Sequence, residues 1–219
     1  MKLLIATRNP HKLDEIRAIL AMPGLTLLTL NDVPPMPEVE EDCNTLRGNA
    51  EKKAVTVALA SGLWALADDS GLEVDALDGA PGVYSARYAG EHVSYEDNNR
   101  KLLSELSGCP HRAASFCSVV TLSDPAGSCA SVEGQCHGRI VEAPRGGVGF
   151  GYDPVFEPNG STLTFAEMDP AAKNRMSHRF QALKRARDIW RDLFSTMPAC
   201  MPDAPIPPQA PEHNGSMSD

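Results

Sequence analysis

The stretch Trp64 to Gly90, WALADDSGLEVDALDGAPGVYSARYAG, constrains this chain more than any other part of it. Trp64-Ala65-Leu66-Ala67 reads as the end of a buried strand. Asp68-Asp69-Ser70-Gly71 reads as the loop that follows, so two adjacent carboxylates are expected at a strand mouth. In open α/β sheets the ligand crevice lies outside the carboxyl ends of the strands. An oxygen-only acid pair suits a hard cation such as Mg²⁺ that also carries phosphate oxygens. Asp68 and Asp69 are therefore candidates for metal binding and for a general base. An Asx-turn with two solvated acids fits these four residues equally well, so the choice rests on the rest of the chain.

Upstream, Leu3-Leu4-Ile5-Ala6 is a short apolar run of the kind found in buried parallel strands. Asn9 suits an N-cap and Pro10 the first helical position, while Leu13, Ile16, Ile19 and Leu20 recur at helical spacing. The loop TRNPHK thus joins a strand to a helix N-terminus, where free N–H groups and the helix dipole favour an anion. Thr7, Asn9 and Lys12 could touch one, although a plain capped helix with a surface lysine has the same sequence. A connector with Pro34, Pro35 and Pro37 leads into the acids Glu38, Glu40, Glu41 and Asp42. A helix capped by Asn44 or Thr45 is expected next, with Leu46, Ala50, Ala54, Val57 and Ala58 on one face and Gly62 closing it. Lys52 and Lys53 are expected on or near the opposite side. The resulting β-α-α-β order makes the fold class α/β.

Glu96 to Leu106 reads as a short helix. Ala114 to Leu122 and Ser128 to Cys136 read as a hairpin around Ser123 to Gly127, with Gly138 to Val141 continuing the second strand. RGGVGFGYD, Arg145 to Asp153, is a glycine-dense loop that is not the dinucleotide fingerprint. Ser177 can cap a last helix with Phe180, Leu183, Ile189, Trp190 and Leu193 or Phe194 inward. Its basic first turn, His178-Arg179, opposes the helix dipole, a local conflict that points to an acceptor-rich ligand. Residues 1–196 are read as one domain and the Pro-rich 197–219 as a disordered tail.

With 20 Lys and Arg against 29 Asp and Glu, a net charge of −9 argues against a nucleic-acid polymer or an anionic membrane as partner. The six cysteines show no zinc-site spacing, and the apolar run at the start is too short for a signal peptide. Reduced thiols and a cytoplasmic location are expected.

Four blocks occur in fixed order: Thr7-Arg8-Asn9-Pro10-His11-Lys12; residues 65–90; GFGYDPVF at 149–156; and Lys173 with Ser177-His178-Arg179 and Gln181-Ala182-Leu183. Together they resemble the inosine triphosphate pyrophosphatases, or non-canonical purine nucleoside triphosphate pyrophosphatases, over Met1 to about Phe194. The resemblance implies an elongated two-lobed α/β fold around a long mixed sheet, an active site in the cleft between lobes, and a homodimer. It implies Mg²⁺-dependent hydrolysis of ITP, dITP and XTP to the monophosphate and pyrophosphate. By position, Thr7, Arg8, Asn9, Pro10, His11 and Lys12 would bind the triphosphate, with Lys53 and Ser70 also contacting substrate. Asp69 would be proton acceptor and metal ligand with Asp68 beside it, and Glu40 or Glu41 the second metal carboxylate. Phe150, Gly151, Tyr152, Asp153, Lys173, His178 and Arg179 would hold the nucleoside. The donors of Arg179 suit O6 and N7 of a 6-oxopurine and oppose the 6-amino group of adenine. One departure stands out: Gly48 occupies a position where the family commonly has Glu, leaving the second carboxylate and the helix start open.

Overall fold

The computed structural model describes residues 1–191 and Leu193; the tail expected over 197–219, and the inward position expected for Phe194, lie outside the described residues. A single mixed sheet organises the chain. Strand β1 (Lys2–Ile5) lies parallel between β2 (Thr26–Thr29) and β3 (Trp64–Val74). Beyond β3 the sheet turns antiparallel through β5 (Ala113–Ser123), β6 (Cys129–Ile140) and β7 (Phe156–Pro158), while the two-residue β4 (Pro81–Gly82) pairs with the far half of β3.

The acids are not in a loop. β3 continues through Asp68-Asp69 to Val74, because β5 goes on pairing with it from Ala65 to Val74. Only the parallel neighbour stops: β1 pairs with β3 from Trp64 to Leu66 and then leaves. The strand mouth expected from the sequence therefore exists on one side of β3 only. The β-α-α-β order also needs correcting, since β2 stands between the first two helices.

Helix α1 (Pro10–Leu20) starts as read, with the Asn9 side chain accepting from the amides of His11 and Lys12. Helix α2 (Leu46–Ser61) is capped by Thr45 and closed by Gly62 in the left-handed region at φ 67, which suits a residue without Cβ. Ala50, Ala54 and Ala58 are fully buried, and their small side chains let α2 lie close on β3 and β5. Lys53, expected near the opposite side, is buried with them. Helix α3 (Tyr95–Glu105) carries a capping box between Ser94 and Asp97. Two helices end the described chain, α4 (Pro170–Met176) and α5 (His178–Ile189). Ile189, expected inward, is 65% exposed, whereas Trp190 is buried.

Two cores share the central strands, which is the two-lobed plan expected from the resemblance. Side chains alternate along a strand, so Leu66, Asp68, Ser70 and Leu72 lie on one face of β3. Leu66 joins the core of Leu3, Ile16, Leu20, Val120, Leu122 and Leu183. Leu72 joins that of Val74, Leu102, Phe116, Phe156 and Phe165. Between them Asp68 and Ser70, with Ser118 opposite Ser70 on β5, form a polar band. On the other face, Ala65 and Ala67 pack under α2. The cleft opens where this band meets the end of β1.

Candidate active site

A cavity of about 380 Å³ occupies the cleft, a size that suits a small ligand. Its walls come from widely separated parts of the chain: Thr7, Arg8, Asn9 and Lys12 after β1, Glu41 before α2, Lys53 on α2, and Asp69 and Ser70 on β3. Phe150, Gly151, Tyr152 and Asp153 close another side with Lys173, His178 and Arg179. Of the residues expected from the sequence, Pro10, His11, Glu40 and Asp68 do not line it.

Asp68 is fully buried and its oxygens are taken. Oδ1 meets Lys12 Nζ at 3.0 Å, and Oδ2 accepts from Ser70 Oγ at 2.6 Å, Ser118 Oγ at 2.9 Å and Arg179 Nε at 3.2 Å. Burial pushes its pKa up, but Arg179 and Lys12 outweigh that and hold the carboxyl well below its usual range. Asp69 faces the other network. Its Oδ1 meets Lys53 Nζ at 3.2 Å and its Oδ2 accepts from Asn49 Nδ2 at 3.2 Å. Here burial dominates over the pull of Lys53, and the carboxyl titrates above the usual aspartate value. A base should be ionised yet basic, and of the two acids only Asp69 combines a raised pKa with access to the cavity.

The helix N-terminus offers fewer free amides than the sequence suggests. The Thr7 amide donates to Ile5 O and that of Leu13 to Asn9 O, while Asn9 N–H donates to Thr7 Oγ1 and His11 and Lys12 donate to Asn9 Oδ1. Positive charge in this part of the wall comes from side chains. Lys12 and Lys53 both donate to the Asp68 carbonyl, at 3.4 and 3.1 Å, so the two ammonium groups converge on one point. Burial pulls the Lys53 pKa down, but Asp69 and Glu41 more than offset it, so the group stays charged. Arg8, also in the wall, has no carboxylate partner among the described residues.

Gly149 (φ 93) and Gly151 (φ 62) turn the loop that presents Phe150. A side chain at Gly149 would run into the Asp153 carboxylate, which accepts from Phe150 N at 2.9 Å and Lys173 Nζ at 2.6 Å. The Phe150 ring is stacked by His11 at 5.0 Å and has Lys173 Nζ 5.0 Å from its centre. Tyr152 is tied back, its hydroxyl donating to Ser85 O at 2.9 Å. His178 stacks on Phe116 at 4.7 Å, and its buried Nδ1 has no partner among the described residues. Burial, then the nearby Arg179, depress its pKa well below the usual value, so the ring is neutral. Arg179 donates to Asp68, to Ser70 Oγ at 3.2 Å and in a short contact to Glu15. Those bonds use three of its five N–H groups.

The donor set fits a hard divalent ion. Asp69 and Glu41 grip the same ammonium, Lys53 Nζ, at 3.2 and 2.9 Å, so two carboxylates converge in a wall that also carries Lys12 and Arg8. Mg²⁺ takes one or two carboxylates and fills its shell with water and substrate phosphate. Among the described residues no three of His, Cys, Asp and Glu gather into a group that could hold a metal ion. Glu40 is exposed and does not line the cavity. At Gly48, the departure noted in the sequence, a Cβ would come 2.9 Å from Cys43 Cβ, so Cys43 covers the space an acid would use.

Sequence reading passed over Glu15, Asn49 and Ser118. Glu15 holds Arg179 and, at 3.5 Å, Lys173; it lies one turn beyond Lys12 on α1. Asn49 lies one turn before Lys53 on α2. The 3- and 4-residue spacings were the available signals. Ser118 had none, because only strand register places it beside Ser70 and Asp68.

The profile described as the Ham1 family matches residues 3–189. A dITP/XTP pyrophosphatase of Geobacter sulfurreducens is 53% identical over 189 residues, covering 85% of this chain and 95% of that one. One of Porphyromonas gingivalis is 50% identical over 189 residues, covering 86% and 96%. Among solved structures, a HAM1 protein from Coxiella burnetii superposes with a TM-score of 0.81 at 36% identity, covering 88% of this chain and 99% of that one. A nucleoside-triphosphatase, or dITP/XTP pyrophosphatase, from Mycobacterium abscessus is 44% identical with a TM-score of 0.71, covering 85% and 98%.

Proposed function

This chain belongs to the Ham1 family, and from that membership we propose that it hydrolyses non-canonical purine nucleoside triphosphates, ITP, dITP and XTP, to the monophosphate and pyrophosphate. The observation that carries the reading is the convergence of all four sequence blocks on one cavity, with a base, paired carboxylates and clustered cations together in its wall. Triphosphate hydrolysis needs these parts, since repulsion between a nucleophile and several phosphate charges must be offset while a water is activated.

In this reading Asp69 accepts the proton of the water that attacks the α-phosphorus, and pyrophosphate leaves. Asp68 acts differently: its filled acceptors make it a support that aims Lys12 and Arg179. Lys12, Lys53 and Arg8 face the phosphates. Asp69 and Glu41 would hold Mg²⁺, which when bound supplies positive charge to the phosphate oxygens. Phe150 offers a ring for the base to stack on, while neutral His178 and the remaining N–H groups of Arg179 read O6 and N7. Among the described residues no helix is long and apolar enough to cross a membrane, and the five described cysteines are free thiols. Free thiols suit a reducing compartment, and we place the reaction in the cytoplasm; the homodimer belongs to the same reading and rests on the resemblance.

The test is a panel of ITP, dITP, XTP, GTP and ATP with Mg²⁺, scoring pyrophosphate release. The expected outcome is efficient release from the first three and little from ATP. Equal turnover of all five would overturn the substrate assignment, and release of inorganic phosphate instead would overturn the bond assignment.

A further inference from the structure

The segment that brings Glu41 to the cavity contains neither helix nor strand from Leu30 to Thr45. Its restraints on the α2 side are clear: Lys52 holds Asp42 at 2.6 Å, Lys53 holds the Glu41 carboxylate at 2.9 Å, and Asn49 Oδ1 accepts the Cys43 amide at 3.0 Å. All three belong to α2, one side of the cleft. From the other side comes Arg87, whose Nη2 donates to the Glu41 carbonyl at 2.9 Å.

Arg87 stands on a firm base. It ends the 3₁₀ turn Ser85–Arg87. Ser85 Oγ donates to Gly82 O at 2.6 Å and accepts Leu72 N–H at 2.9 Å, and Ser85 O receives the Tyr152 hydroxyl. Its neighbour Tyr88 packs on the core of Leu72 and Phe156. Glu41 is thus gripped at both ends, by its carboxylate from one lobe and by its carbonyl from the other. Burial pushes the Glu41 pKa up, but the charges of Lys53, Lys12 and, after them, Arg87 bring it below the usual value. The contacts of Arg87 with Glu91 at 3.8 Å and the face of the exposed Tyr84 are of the surface kind that contributes little.

We propose that Arg87 is a positioning residue: by fixing the Glu41 main chain across the cleft, it sets the Glu41 carboxylate beside Asp69 for a divalent ion. The proposal rests on the reading of Glu41 and Asp69 as the metal carboxylates. Partners that orient a ligand without touching the metal commonly change metal affinity by about 10–100-fold when removed.

The test uses the full chain and Mn²⁺ as the probe, with free Mn²⁺ read by electron paramagnetic resonance, alongside amide hydrogen exchange. Arg87→Ala is expected to raise the Mn²⁺ dissociation constant by about 10–100-fold and to speed exchange at residues 38–45, leaving α2 protected. Adding Arg87→Ala to Glu41→Ala should cost no more than Glu41→Ala alone, because contacts that act through one group are not additive. Arg87→Lys, which keeps the cation but not the planar fork, should fall between and serves if the alanine variant does not fold. Normal Mn²⁺ affinity in both Arg87 variants, with weakened affinity in Glu41→Ala, would overturn the role of Arg87. Normal affinity in Glu41→Ala itself would instead overturn the metal reading. An additive loss in the double variant would show that Arg87 acts other than through Glu41.

Discussion

Asp68 and Asp69 are neighbours in sequence but belong to separate charge networks, the first closed by Lys12, Arg179 and two serines, the second open to the cavity beside Lys53 and Asn49. Alternation along β3 sends the two carboxyls to opposite faces. Replacing either one by asparagine should therefore give two different phenotypes.

Asp69→Asn should keep the fold and nucleotide binding while turnover falls by roughly 10²–10⁴, the usual loss when a general base is removed. Asparagine is close in shape and cannot take the proton. Wild-type hydrolysis of ITP by this variant would remove Asp69 from the mechanism.

Asp68→Asn should act on stability first. It leaves Lys12 and Arg179 without their shared buried counter-charge, a change that typically costs about 3–5 kcal/mol. Because the Asp68 pKa is lowered in the folded chain, its contribution is present above the unfolded value of 3.8 and is lost as pH falls through the lower folded value. Urea unfolding at neutral pH and near pH 3 measures both effects. An unchanged midpoint at neutral pH would mean that the network contributes nothing net.

His178 gives a second pH signature with the same direction and a higher window. The folded chain keeps the ring neutral while the unfolded chain protonates it near 6.5. Stability from this group is whole above that pH and declines as pH falls below it, by about 1.4 kcal/mol per pH unit until the folded pKa is reached. His178→Phe should flatten the fall in urea midpoint between pH 7 and 5. The same slope in the variant would trace the pH dependence to other groups.

Arg179→Ala tests base reading. A bidentate contact to O6 and N7 is worth about 1–3 kcal/mol of discrimination, or roughly 5- to 150-fold. The ratio of kcat/KM for ITP to that for ATP should narrow by that order. Losing partners for Asp68 and Glu15 will also lower stability, but a ratio measured on one preparation is independent of the folded fraction. A uniform fall for both nucleotides would make Arg179 a phosphate or structural group instead.

How much of this could be read in the sequence depended on whether local chemistry or register decided the matter. Caps at Asn9, Thr45 and Ser177 are local devices, and they made α1, α2 and α5 legible. Most of the cavity-lining residues expected beforehand came instead from the resemblance, position by position. The hairpin β5–β6 was visible through its turn residues: β5 runs one residue further at each end than read, and β6 carries on to Ile140 within the continuation expected over Gly138 to Val141. The strand β2 has four residues and β7 three, too few to show periodicity. Helix α4 had its signal in Asp169-Pro170, an N-cap followed by proline at the first position, and it was passed over. The course of β3 through the two acids was not legible, since Asp-Asp-Ser-Gly favours a turn and only pairing with β5 holds it extended. The choice of Glu41 over Glu40 at the cavity depends on a segment without periodic structure and on Arg87, 46 residues away.

Four of the basic groups in the cleft, Lys12, Lys53, Lys173 and Arg179, each already hold a carboxylate. A phosphate that enters therefore has to take a cation from an acid, and the displaced acid is left wanting a positive charge of its own. Nucleotide and divalent ion each make room for the other: the one frees carboxylates, the other occupies them. When pyrophosphate leaves, the original pairs can close again, so the empty cleft is its own competitor for stray anions. The expected signature is reciprocal: triphosphate affinity measured by calorimetry rises with added divalent ion, and ion affinity rises with triphosphate by the same factor. Equal triphosphate affinity with and without the ion would show that the acids never give up their partners.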